Sequence, residues 1–103
     1  MDIIDISKGV DVGGFHYIVD VGETAQKELH AESCNGQCNT ETSRITLNRY
    51  ADAEHLSKTF IHELLEAVNH IYCHDNLEHN QITSLGYGIH QAMESLGVRF
   101  GGF

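Results

Sequence analysis

The sequence predicts an α+β domain in which two helices pack on a small antiparallel sheet. Three observations carry that expectation. The first half holds short β-branched and aromatic runs separated by glycine-bearing turns. The second half holds two long stretches with apolar residues at helical spacing. The length, 103 residues, suits one domain of ordinary size.

Each element follows from its residues. Ile3, Ile4 and Ile6 form a β-branched run, and residues 8–14 carry three glycines, a turn signal. Phe15, Tyr17, Val19 and Val21 then alternate with His16, Ile18 and Asp20, the period of a strand, so the two runs are expected to form a hairpin. Residues 24–31 fit a short helix or a third strand. Residues 34–39 read as a loop, and 44–48, with Ile45 and Leu47, as a strand. Asp52 is the expected N-cap of a helix reaching about Tyr72. Its apolar positions are Leu56, Phe60, Ile61, Leu64, Leu65, Val68 and Ile71. A final helix covers about 80–96, with Ile82, Leu85, Ile89, Ala92, Met93 and Leu96 on one stripe and Gly97 as its stop. Residues 98–103 are expected to form a loose tail. The single domain 1–103 therefore divides into a sheet-rich half, 1–50, two helices, 51–96, and a tail, 97–103.

Charge narrows the function. Fifteen acidic residues against six basic ones leave a net charge of -9. Phosphate binding needs clustered Lys and Arg, so nucleic acid is excluded as a partner, and an anionic membrane surface with it. No apolar run is long enough to span a bilayer. The N-terminus lacks a basic and an apolar leader segment, and three cysteines cannot all pair, so a reducing cytoplasm is expected. Cys34-x3-Cys38 has loose zinc-site spacing that Cys73 and a histidine would complete, against the plainer reading of reduced thiols or a small loop disulfide.

The chemistry concentrates in Phe60-Ile61-His62-Glu63-Leu64-Leu65-Glu66-Ala67-Val68-Asn69-His70. On a helix His62 and Glu66 sit one turn apart on one face, where an imidazole and a carboxylate can reach the same metal ion. Glu63 lies beside them, free to hold a water. The spacing is that of His-Glu-x-x-His with Glu66 in the second histidine's place. A solvated amphipathic helix would show the same polar arc. A catalytic zinc also needs a third protein ligand, and His70, His74, Glu78 and His79 follow downstream. His70 stands two turns from His62, too far along the axis to share an ion. His79 is the best placed, at a helix start where the positive end of the dipole keeps the ring unprotonated. His16, His30, His55, His74 and His90 read as surface residues, and Tyr87 as a core-edge tyrosine.

The segment resembles the zincin metallopeptidases. More closely, it is similar to the small zincin-like proteins of bacteriophages and mobile elements, distantly like the ImmA/IrrE-type peptidases. The matching stretches are His62 to Asn69, Leu77-Glu78-His79, and Leu85-Gly86-Tyr87-Gly88-Ile89-His90-Gln91, within roughly residues 44–94. The resemblance implies His62, Glu66 and His79 as metal ligands and Glu63 as the catalytic carboxylate. It implies Zn²⁺, with another divalent metal as the alternative, and hydrolysis of peptide bonds through a metal-bound water. The alternative function is a non-catalytic, degenerate zincin that binds a protein partner through its acidic face.

Overall fold

The computed structural model describes residues 1–103. The fold is α+β, and its nine elements run β1 (Asp2–Asp5), β2 (Val10–Val12), β3 (Phe15–Asp20), α1 (Glu23–Ala31), β4 (Gly36–Asn39), β5 (Arg44–Leu47), α2 (Ala53–Tyr72), α3 (His79–Ser95) and β6 (Val98–Gly101). No helix is long and apolar enough to cross a membrane.

The sheets are not antiparallel throughout. The larger one has the order β2-β3-β5-β4; β2 and β4 pair antiparallel with their neighbours, whereas β3 and β5 run parallel. The cause lies in residues 24–31, which fold as α1. A helix between two strands returns the chain in a crossover, and a crossover delivers a parallel strand. Gln26 of α1 ties the crossover down, donating to the Leu47 carbonyl at 3.0 Å and accepting from the Arg49 amide at 3.1 Å.

The hairpin also differs from expectation. It joins β2 to β3, with Val10 opposite Tyr17, through Gly13 and Gly14 at φ of 59° and 83°. A two-residue loop with both φ values positive matches the twist of the flanking strands, and glycine adopts it without strain. The β1 strand is thereby left for another partner. That partner is β6, formed by residues expected to be a tail. The two pair in parallel, Asp2 opposite Val98 and Asp5 opposite Gly101. On its other side β6 is held by α2: the Phe100 amide donates to Ser57 Oγ at 2.9 Å, and Ser57 is fully buried.

The α2 helix begins where Asp52 accepts from the His55 amide at 2.8 Å. It lies across the larger sheet, and the core beneath it gathers Ile6, Val12, Tyr17, Val19, Ile45, Leu47, Leu56, Phe60 and Ala67. Leu64, Val68 and Ile71 close the margin of this core. The α3 helix is rotated from its expected phase. Its buried line is Ile82, Gly86 and His90, while Leu85, Ile89 and Leu96 face outward. Gly86 lies on the side of α3 that packs against α2, where a Cβ would stand 3.8 Å from Leu65 Cδ1 and 3.9 Å from His62 Cα.

Candidate metal centre

Two helices and one edge strand build the centre. The turn of α2 that follows Phe60 and Ile61 carries His62 and Glu66 on one side, with His62 Nε2 3.6 Å from Glu66 Oε1. His79 opens α3 and brings Nδ1 to 3.9 Å from the same carboxylate oxygen. The two imidazole rings meet edge to face with centroids 5.1 Å apart. One ligand atom from each residue lies within 4.8 Å of the others, so the three side chains could hold a metal ion. A tetrahedral ion with bonds of about 2.0–2.2 Å separates neighbouring ligand atoms by about 3.3–3.6 Å. The three donors are within a small rotamer adjustment of that spacing.

Glu63 sits beside these donors and is buried, at 8% exposure. The strand β4 covers it. Gly36 is required for that cover, since a Cβ there would collide with Thr59 Cγ2 and stand 3.2 Å from Glu63 Oε2. The resulting cleft, about 650 Å³, is walled by residues 36–41 on one side and by His62, Glu63, Glu66 and His79 on the other. No lysine or arginine lines it.

The electrostatics follow from burial around an anionic centre. Loss of solvent, reinforced by the Glu66 charge, pushes the Glu63 carboxyl up to about 7. The Cys38 thiol is pushed up to about 12, first by burial and then by Glu63 and Glu66. It is therefore a neutral thiol and not a nucleophile. Burial holds the His62 imidazole below its ordinary value, against the pull of Glu66, which keeps the ring neutral and able to donate a lone pair. Two imidazoles, one carboxylate and an open side toward the cleft form a donor set that fits a divalent cation.

The remaining sequence candidates lie elsewhere. His70 pairs with Asp75 at 3.0 Å. His74 is exposed in the turn after α2, at φ 52°. Glu78 is spent on a capping box with Gln81 at the start of α3. Cys34, Cys38 and Cys73 are free thiols, and neither cluster of possible metal ligands contains one. Tyr87 is exposed under the Lys58 ammonium and not at the core edge. His90 is buried, contrary to its surface reading, with Nε2 3.4 Å from Glu54 and 3.9 Å from Glu94. Glu94 is already engaged by the Arg99 guanidinium through both carboxylate oxygens, an ion pair that joins α3 to β6 beside His90.

Asn69 is a residue whose role the sequence pattern did not disclose. It is buried on α2, and its amide brackets the backbone of Leu77, accepting from the N–H at 3.0 Å and donating to the carbonyl at 3.1 Å. That clamp fixes the chain two residues before His79. Polarity at a helix position gives no hint of an eight-residue reach, so only the folded structure exposes it. Asn69→Ala should loosen His79 alone and lower zinc affinity by about 10–100-fold, as loss of a ligand's support does. A competition titration against a chromophoric chelator would measure it, and unchanged affinity would remove Asn69 from the centre.

Compared with protein-family models, with known proteins and with solved structures, the chain finds no match, and the centre is defined by its own geometry: two imidazoles and a carboxylate converging on a cleft beside a buried carboxyl.

Proposed function

We propose that the protein is a zinc-dependent peptide hydrolase of the small zincin-like kind, working in a reducing cytoplasm. One observation carries the reading: His62, Glu66 and His79 converge from two helices while Glu63 is buried against them with its carboxyl near 7. A general base works best when its pKa lies near the working pH. A zinc ion held by the three donors would supply a Lewis acid to the scissile carbonyl.

The residues of the chain divide the remaining work. Glu63 takes the proton of the attacking water and passes it to the leaving amine. The strand β4 is the last in its sheet and borders the cleft, so an extended peptide can add to its free side as a further strand. Backbone pairing of that kind holds the substrate by its main chain, and the cleft then sees whichever peptide bond lies over Glu63.

The test is cleavage of a mixture of short unstructured peptides. Hydrolysis should vanish on chelation and return with about one equivalent of zinc per chain. Zinc uptake without any cleavage would favour the second reading, a degenerate zincin that binds a protein partner. The carboxylate at Glu66 supports that second reading, because an anionic ligand makes the ion a weaker electrophile than a second imidazole would.

A further inference from the structure

Phe15, Tyr17 and Val19 share one face of β3, since successive strand side chains alternate. Tyr17 and Val19 are buried in the core, at 1% and 7% exposure, whereas Phe15 is 57% exposed. Phe15 instead lines a recess of about 250 Å³, together with Tyr17, Thr40, His70 and Ile71. The hairpin loop steadies its helical wall, because a Cβ on Gly13 would collide with Ile71 Cγ2.

This recess adjoins the metal cleft, and Thr40 lines both. The two differ in charge. The cleft carries Glu41, Glu63 and Glu66, whereas no Asp, Glu, Lys or Arg lines the recess, and its His70 is held by Asp75 at 3.0 Å. Their separation follows from β4 and α2, which run side by side in one direction. Gly36 stands against Thr59 and Glu63, while Thr40 shares the recess with His70 and Ile71. Ile71 comes two turns after Glu63, about 12 Å along the helix. An extended peptide covers that distance in about three or four residues.

We propose, on the reading of the cleft as a peptide site, that the recess is a specificity pocket for a large apolar side chain such as Phe or Leu. That side chain belongs to a peptide lying along β4, about three or four residues from the bond over Glu63. Size and chemistry select it. The recess admits one large side chain, and its Phe15 and Ile71 walls reward the burial of apolar surface. A charged side chain would lose water there and find no counter-ion. Thr40 directly follows β4, so a peptide paired to that strand is led to the recess.

Isothermal titration of zinc-loaded Glu63→Gln, the variant expected to bind peptides without cutting them, tests the pocket. The probes are a ten-residue peptide of Ala, Ser and Gln, and versions of it carrying one Phe or one Asp at successive positions. The best Phe peptide should bind about tenfold or more tightly than the parent, and its Asp counterpart no better than the parent. Adding Phe15→Gln, or Thr40→Phe to fill the recess, should bring the Phe peptide down to the parent's affinity. Phe15 is exposed, so zinc uptake by its variant should match wild type. Equal affinity for Phe and parent peptides, binding of neither, or a preference that survives Phe15→Gln would overturn the pocket. A Phe preference in binding without cleavage by wild type would keep the pocket and remove the hydrolase. Cleavage with no Phe preference would do the opposite.

Discussion

Glu63→Gln should lower peptide hydrolysis by about 10²–10⁴-fold while bound zinc and the fold stay in place. Glutamine keeps the shape that fits beneath Gly36 but cannot take a proton from water. Glu63 is also apart from the three donors that converge, so its loss leaves the ion's ligands intact. The same variant carries a stability signature. In the folded chain Glu63 titrates near 7, against an ordinary value of 4.5. Between those values the folded state binds the extra proton, and this group's contribution therefore destabilises the fold progressively as pH rises through the window. The penalty is on the order of 3 kcal/mol above neutrality. Glutamine abolishes it, so the metal-free variant should be more stable than metal-free wild type at about pH 8 and equal to it at about pH 4. Urea denaturation at both pH values measures the difference. Equal stability at both would mean that the Glu63 carboxyl is not held in its neutral form.

Phe60→Ala should cost about 3–5 kcal/mol, a large part of what holds a domain of this size together. Phe60 is 1% exposed, and its ring meets Phe100 edge to face with centroids 4.8 Å apart. It therefore ties α2 both to the larger sheet and to the β1–β6 pair. The same truncation at Leu64, which packs at the margin of the core, should cost less. Denaturant midpoints for the two variants give the comparison, and a cost below about 1 kcal/mol at Phe60 would mean that the core is centred elsewhere.

Local signals explain which parts of this fold were legible in the sequence. The α2 helix combines an Asp52 cap with a full apolar stripe, and it forms where the pattern places it. The sequence favours Ile3, Ile4 and Ile6 as the hairpin's first strand, because they are better strand formers than Val10-Asp11-Val12, which takes that place in the structure. The Gly13–Gly14 loop decides the matter, since two left-handed residues in succession fix the register on either side. Neither β4 nor β6 announces itself locally. Gly36-Gln37-Cys38-Asn39 has weak strand propensity and is held by pairing with β5, whereas Val98 and Phe100 are good strand formers in a run of only four residues that needs the distant β1 as its partner.

The centre divides in the same way. Spacing along one helix places His62 and Glu66, because i and i+4 share a face whatever the surroundings. His79 depends on a turn of six residues that Asn69 holds in place, and the burial of Glu63 depends on β4, which the sequence presents as a loop. The phase of α3 departs from its apolar stripe because hydrophobicity ranks Leu85 and Ile89 above Gly86 and His90, which are the buried residues. Close packing against α2 ranks them the other way.

Zinc uptake by equilibrium dialysis tests the central claim most directly. Wild type and Glu63→Gln should each retain about one zinc per chain, whereas His62→Ala and Glu66→Ala should each lose it at the same free zinc concentration, all four remaining folded. Zinc bound equally by all four proteins, or by none of them, would contradict a centre built from His62, Glu66 and His79.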